Sequence, residues 1–149
     1  MRLLDAHSHV PVRVLVDAYA REVVAAAAEN LDVGDKFRIE SKLAHADFIR
    51  ALRRAEFIVT DSGGKQEEAA LYGVPTLAHR MATERSDGLG QTAVLSRWQP
   101  EIMVKFLMDY RRLRVQPSPP AVSPSDVVVA DLIARGYGSY VHPARLARP

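Results

Sequence analysis

The chain contains no cysteine, which excludes disulfide bonds and thiolate metal sites and fits a reducing compartment. No apolar run approaches the roughly 20 residues of a membrane helix, and the first residues lack the apolar segment of a signal peptide. Basic residues exceed acidic ones by only 20 to 18, so a nucleic-acid-binding surface is not indicated. We therefore expect a soluble, cytoplasmic, globular protein that binds neither membranes nor nucleic acid, with room in its 149 residues for one core.

A buried strand followed by a serine and two glycines is the most informative pattern in the sequence. Residues 57–60 are aromatic and β-branched without polar alternation, which is typical of a strand covered on both faces of a parallel sheet. A helix is predicted over residues 65–72, with Gly73 after its end, and a second strand follows at 76–78. Strand, turn, helix and strand form one βαβ unit, which predicts an α/β fold with a Rossmann-like parallel sheet.

The start of the predicted helix has the properties of an anion-binding site. A helix that follows a parallel strand directs its unpaired N–H groups, and the positive end of its dipole, toward the crevice where such sheets bind ligands. Gly63 and Gly64 have no Cβ atom to keep a phosphate away, and Ser62 offers a hydroxyl as N-cap or direct donor. Glu68, on the same face as Gly64, suits the hydroxyls of a ribose better than a phosphate. A tight turn before an ordinary helix start is the alternative.

The sequence TDSGGKQEEA, followed by GVPTL, His79-Arg80 and Thr83-Glu84-Arg85, resembles the C-terminal signature of the UDP-N-acetylglucosamine 2-epimerase family. That signature is T-D-S-G-G-x-Q-E-E, then G-x-P and T-E-R, and the match covers roughly residues 47–90. The resemblance implies a GT-B architecture, of which this chain would be an incomplete C-terminal domain. Members of the family invert C2 of a UDP-amino sugar by eliminating and re-adding UDP, without a nicotinamide, in the biosynthesis of cell-surface polysaccharides. The resemblance therefore implies no cofactor.

The resemblance also assigns individual residues. It assigns the diphosphate to Ser62, Gly63, Gly64 and Arg85, and the ribose to Glu68. Phe48 stands at the position of a uracil contact, although its spacing with Leu52 fits an ordinary core residue equally well. His9 and Arg80 are possible additional contacts, and a polar residue at a strand end is the alternative for His9. A surface ion pair is the alternative for both Arg80, with Glu84 as its partner, and Arg85.

The chain departs from the family chiefly in length. Family epimerases are more than twice as long, and most of their acid and base side chains come from an N-terminal domain that this chain does not contain. We therefore name no catalytic residue, and expect UDP or a UDP-amino sugar as ligand with a complementary N-terminal domain or a second copy as partner. Lys65 also replaces the apolar residue usual after S-G-G. A non-catalytic UDP-binding domain, or a structural relic, is the alternative function.

Residues 2–9 are predicted to form a short strand at the N-terminus. Asp5, His7 and His9 resemble the D-x-H-x-H strand of amidohydrolases, in which alternate histidines bind a metal. Such a centre needs further ligands from a barrel of roughly 250 residues, which this chain cannot form. No metal is therefore expected.

The remaining pattern divides the chain. Helices are predicted over 16–31, 43–55 and 100–113, and strands over 36–40 and 92–95. The prolines of residues 116–124 predict a linker, and Ser123-Pro124 begins a last helix, although the run 127–133 also suits a strand. We expect a Rossmann-like UDP-binding half domain at 1–114, a linker at 115–124, a C-terminal helix at 125–136 and a flexible tail at 137–149.

Overall fold

A computed structural model of the chain describes residues 1–117 and 121–137, which fall into two units that divide between residues 118 and 119. The second unit contains α6 (Pro124–Ala134). In the first unit, helices and strands follow one another as α1 (Arg2–His7), β1 (Val12–Val16), α2 (Arg21–Asn30), β2 (Phe37–Ser41), α3 (His45–Arg54), β3 (Ile58–Thr60), α4 (Gly63–Leu71), β4 (Thr76–Ala78), β5 (Ala93–Leu95) and α5 (Pro100–Asp109), with 3-10 turns at Ala18–Ala20 and Tyr110–Leu113.

Every strand pair in the first unit is parallel. β3, β4 and β5 form one sheet in that order, with Thr76 of the central strand opposite Ile58 on one side and Ala93 on the other. β1 and β2 form a separate two-stranded sheet with Val12 opposite Phe37. Parallel strands need crossover connections, and α2 and α4 supply two of them. The predicted α/β class with a parallel sheet and flanking helices is confirmed.

The main core lies between the three-stranded sheet and α5. Leu77 of β4 is fully buried and packs with Phe106 and Leu107 of α5. The ring of Phe57 meets that of Phe106 edge to face, with centroids 5.7 Å apart. A second cluster joins α3 and α4 through Leu52 and Ala69. Every residue of the central strand β4 is buried. β3, for which the apolar run predicted burial on both faces, is only half-buried, because it lies at the edge of the sheet.

The N-terminal prediction is wrong. Residues 2–7 form helix α1 rather than a strand, and α1 packs on α5 with Leu4 against the main core. The strand of this region is β1, Val12–Val16, which the sequence analysis did not predict. The predicted helix at 16–31 therefore starts late, because β1 and a 3-10 turn occupy its first positions before α2 begins at Arg21.

The other predicted elements of the first unit agree with the structure to within a few residues at their ends. The helix after β3 begins at Gly63 rather than Lys65, so both glycines are part of α4. Gly73 ends this helix with a φ of 65°, and a Cβ atom at that position would collide with the carbonyl oxygen of Val115. The predicted glycine stop is therefore confirmed, and it lets the chain after α5 pass against the end of α4.

The second unit contains a helix where the sequence also allowed a strand. α6 has Pro124 at its first position after Ser123, and its larger apolar side chains are exposed. The predicted linker and domain boundaries stay predictions, and residues 138–149 of the predicted tail lie outside the described residues. Among the helices of residues 1–117 and 121–137, none combines the length and apolarity needed to cross a membrane.

Candidate functional site

The candidate site lies at the carboxyl end of β3, where α4 begins. Ser62 is the N-cap of this helix, and its Oγ accepts a hydrogen bond of 3.5 Å from the backbone N–H of Lys65. The N–H of Ser62 itself donates to Oγ1 of Thr60 at 3.1 Å. Of the two roles that the sequence allowed for the Ser62 hydroxyl, the structure shows the helix cap.

The first two backbone N–H groups of α4 are open. Within residues 1–117 and 121–137, no acceptor meets the N–H of Gly63 or Gly64, as expected for a first helical turn. A Cβ atom added at Gly64 would have no heavy atom within 4 Å, so the space in front of that residue is empty. These two donors and the positive helix end suit an anion.

Gly63 has a different neighbourhood from Gly64. A Cβ atom at Gly63 would lie 2.7 Å from Oε1 of Glu84 and 3.0 Å from Cγ of Arg85. The sequence reading explained both glycines by the approach of a phosphate. At Gly63 the structure gives a second reason, because the side chains of Glu84 and Arg85 lie where a side chain at residue 63 would be.

Arg85 is brought to the start of α4 by this loop. Its Nη1 donates to Oε1 of Glu67 at 2.8 Å, and its Nε lies 3.5 Å from Oε1 of Glu84. The side chain is 46% exposed, so solvent or a ligand reaches the guanidinium. The structure therefore places the predicted phosphate-binding arginine beside the two open N–H groups, with part of its donor set already engaged.

Arg80, at the end of β4, takes the alternative role that the sequence allowed. Its Nη2 donates to Oε2 of Glu84 at 3.0 Å. A hydrogen bond from the backbone N–H of Glu84 itself lowers the pKa of that carboxyl, and the charges of Arg80 and Arg85 lower it further. Glu84 is therefore ionised at neutral pH and balances the two arginines.

Lys65 joins the predicted ribose and uracil positions. Its Nζ donates to Oε2 of Glu68 at 2.9 Å and lies 4.0 Å from the ring centroid of Phe48. Nδ1 of His45 is 3.6 Å from the other oxygen of Glu68. Phe48 also packs against the cluster around Leu52, so the core alternative describes part of its surroundings. The structure brings Glu68 and Phe48 together through a residue that the sequence marked only as a departure.

Asp5, His7 and His9 do not form the metal site that the D-x-H-x-H pattern resembles. Asp5 and His7 lie on helix α1, so the strand geometry that would align alternate metal ligands is absent. His9 is exposed, and no hydrogen bond or ion pair in the described residues joins it to the start of α4. Residues 1–117 and 121–137 contain no cluster of three potential metal-binding side chains.

Comparison with known proteins assigns the family. A family model described as UDP-N-acetylglucosamine 2-epimerase matches residues 2–111. The chain belongs to this family. The Bacillus subtilis UDP-N-acetylglucosamine 2-epimerase is 37% identical over 79 residues, which make up 52% of this chain and 21% of that enzyme. The family resemblance drawn from the T-D-S-G-G signature is thereby confirmed.

Solved epimerase structures share the fold. The UDP-GlcNAc 2-epimerase of Neisseria meningitidis, bound to UDP-GlcNAc, has a TM-score of 0.69 at 19% identity and aligns with 89% of this chain and 38% of its own. The S. aureus MnaA structure with UDP has a TM-score of 0.69 at 22% identity, and the alignment covers 95% of this chain and 40% of MnaA. This epimerase-family chain thus spans about a fifth of the curated relative and about two fifths of these structural neighbours.

Gln66, the glutamine of the epimerase signature, is the residue that sequence reasoning missed. It is 1% exposed, and its Nε2 donates to the carbonyl oxygens of Arg85 at 3.1 Å and Asp87 at 2.9 Å. Its Oε1 accepts from Oγ1 of Thr83 at 3.1 Å. The available signal was its spacing of three residues from Ala69, which places both side chains on one face of the helix. The structure shows that this face is buried.

Proposed function

We propose that this chain binds the UDP part of a UDP-amino sugar at the start of α4, as the nucleotide-binding half of a UDP-N-acetylglucosamine 2-epimerase. The observation that carries the proposal is the pair of open N–H groups at Gly63 and Gly64 beside the guanidinium of Arg85. Two structural neighbours are bound to UDP-GlcNAc and to UDP, which supports the choice of ligand.

Each part of the nucleotide has a proposed partner. The diphosphate is held by Ser62, Gly63, Gly64 and Arg85, the ribose by Glu68 and the uracil by Phe48. The carboxylate of Glu68 would repel a phosphate but accepts hydrogen bonds from two ribose hydroxyls. A guanidinium offers paired donors that match phosphate oxygens. A nucleoside diphosphate therefore fits this set of groups better than a free sugar or a single phosphate.

The chain's part in the reaction is to stabilise a leaving group. A base removes the C2 proton, the electrons of the C2–H bond form a C1=C2 double bond, and the bond from C1 to the UDP oxygen breaks, so that UDP leaves with the electron pair of that bond. The proton then returns to the opposite face of C2, and UDP adds again. The open N–H groups, the helix dipole and Arg85 oppose the negative charge that grows on the leaving diphosphate, which lowers the barrier.

We assign the proton transfers at C2 to a partner, either a complementary N-terminal domain or a second copy of the chain. The alignment with about two fifths of the structural neighbours supports this division of labour. UDP-sugar turnover that appears only when an N-terminal half is added would establish it. UDP binding without turnover in either case would favour the alternative of a non-catalytic UDP-binding domain. The proposed setting is the cytoplasm, in the biosynthesis of cell-surface polysaccharides.

Arg85→Ala tests the site directly. We expect UDP affinity to fall about tenfold, or about 1.4 kcal/mol, because charge-assisted hydrogen bonds to the diphosphate are lost. Isothermal titration calorimetry measures the change. Arg54→Ala, which removes the same charge from an exposed position on α3, is the matched control and should bind UDP normally. Unchanged affinity in Arg85→Ala would remove Arg85 from the site, and no UDP binding by the unaltered protein would reject the proposed function.

A further inference from the structure

We propose that Gln66 is a positioning residue, which holds Arg85 in place for the diphosphate by attaching the loop of residues 83–87 to α4. The predicted effect of Gln66 on UDP binding rests on the proposed function, whereas the attachment of the loop to α4 does not. Gln66 reaches no ligand position, because it is 1% exposed and its amide is engaged by the loop. Any effect on UDP must therefore pass through the residues that it holds.

The amide of Gln66 is fully used by the loop. Both Nε2 donors meet loop carbonyls, those of Arg85 and Asp87, and Oε1 accepts from the hydroxyl of Thr83. A buried polar group that loses its partner costs about 1–3 kcal/mol. The loop and the helix therefore fix each other's position, because an alternative loop path would leave the amide buried without partners.

These hydrogen bonds fix the backbone of Arg85, from which its side chain extends. The carbonyl of Arg85 accepts from Gln66, and its N–H donates to Oγ1 of Thr83 at 3.2 Å, so both backbone polar groups of Arg85 are held. The side chain then passes Gly63 at close contact, and its tip reaches Glu67. Arg80 makes no hydrogen bond to Gln66 in the described residues, and it serves as an internal comparison.

A double-mutant cycle tests the proposal. Gln66→Met keeps the length of the side chain and removes its hydrogen bonds, and we expect UDP affinity to fall by about threefold to tenfold. In the Arg85→Ala background, the same substitution should change affinity by less than about twofold, since the effect passes through Arg85. Losses that multiply in the double variant would overturn the proposal, as would unchanged affinity in Gln66→Met when Arg85→Ala alone weakens binding.

The controls separate loop position from general stability. Gln91→Met makes the same change at an exposed glutamine and should have no effect on UDP. Arg80→Ala combined with Gln66→Met should show the full Gln66 loss. If Gln66→Met melts below the assay temperature, Thr83→Val takes its place, since it removes the hydroxyl between Gln66 and the N–H of Arg85 with little change in size.

Amide hydrogen exchange tests the attachment without any nucleotide. In Gln66→Met, the N–H groups of Arg85 and Leu89 should exchange faster than in the unaltered protein, while those of β4 remain protected. Unchanged exchange in this loop would show that Gln66 does not hold it and would overturn the inference. Faster exchange in a protein that fails to bind UDP would keep the attachment and reject only the proposed function.

Discussion

The two parallel sheets of the first unit have the same strand pairing but differ in burial. In β4, Thr76 and Leu77 are 0% exposed and Ala78 is 1% exposed. In β1, Val16, at 9%, is the only buried residue of the strand. The same parallel backbone ladder therefore occurs with very different side-chain burial, and the candidate site lies beside the sheet whose central strand is covered on both faces.

The two-stranded sheet depends more on surface contacts. Ion pairs connect it internally and to its surroundings: Arg13 with Glu40, Lys36 with Asp5, and Lys42 with Asp17. Exposed pairs of this kind contribute little to stability, because water and salt screen their charges. We therefore expect side-chain packing around β3, β4 and β5 to contribute most of the free energy of unfolding, and residues around β1 and β2 to contribute little.

Leucine truncation in the two sheets provides the largest test of this comparison. Leu77→Ala should reduce the free energy of unfolding by about 3 kcal/mol, because it leaves a cavity in the core. Leu15→Ala, the same change at a half-buried position of β1, should cost about 1 kcal/mol or less. Urea denaturation measures both. Equal losses would show that the β1–β2 sheet is packed as firmly as the other.

Lys65→Met sharpens the comparison at the site itself. The Lys65 ammonium contacts the face of the Phe48 ring and donates to the Glu68 carboxylate. A nucleoside that binds to both side chains must first displace the ammonium, at a cost of about 0.5–1 kcal/mol. We expect Lys65→Met to bind uridine about threefold more tightly, as measured by NMR titration. Uridine is the probe because it carries no charge. Weaker binding would mean that Lys65 contacts the nucleoside rather than covering its site.

The control for Lys65 is Lys42, which directly follows β2. Lys42 also forms an ion pair, 3.1 Å from Asp17, and is 70% exposed. Lys42→Met makes the same chemical change there and should leave uridine binding as it is. A change of uridine affinity in both variants would indicate a general effect of charge rather than an effect of the position of Lys65.

Glu40→Gln should produce the smallest change. The hydrogen bond from Arg13 lowers the pKa of the Glu40 carboxyl below its ordinary value of 4.5. A carboxyl with a lowered pKa stabilises the folded state above that ordinary value, and this contribution is lost as the pH falls through the folded-state pKa. Stability should therefore decline slightly less below pH 4.5 in Glu40→Gln, as followed by thermal melting, with UDP affinity unchanged. A steeper decline would contradict the assignment.

The unit from β3 to β4 could be predicted because its signals are local. The apolar run of β3, the cap at Ser62 and the stop at Gly73 each report on their own segment. Helix α1 carries no such signal, since six residues are too few for a helical period and its packing partner, α5, lies far along the chain. The sequence therefore suggested a strand that the structure does not form.

The sequence predicted which residues could bind a ligand at the site, but not which side chains contact one another there. Residue types and the family signature identified Ser62, Arg85 and Glu68, whose ligand roles remain predictions. The partners of Arg85 and Gln66 could not be inferred, because they join segments about twenty residues apart through side-chain geometry. Spacing along a helix defines a face, but it does not tell which loop will cover that face.

The pairing of Arg85 with Glu67 and Glu84 has a consequence for selectivity among anions. An incoming anion finds a guanidinium that is already neutralised, so it must exchange partners rather than simply add a charge. A chloride ion would replace two carboxylate contacts with one and would gain little. An anion with several oxygens engages the guanidinium and the open N–H groups of α4 together and offsets the loss. If the proposed diphosphate site is correct, we therefore expect these ion pairs to favour an anion with several oxygens over a small monovalent ion.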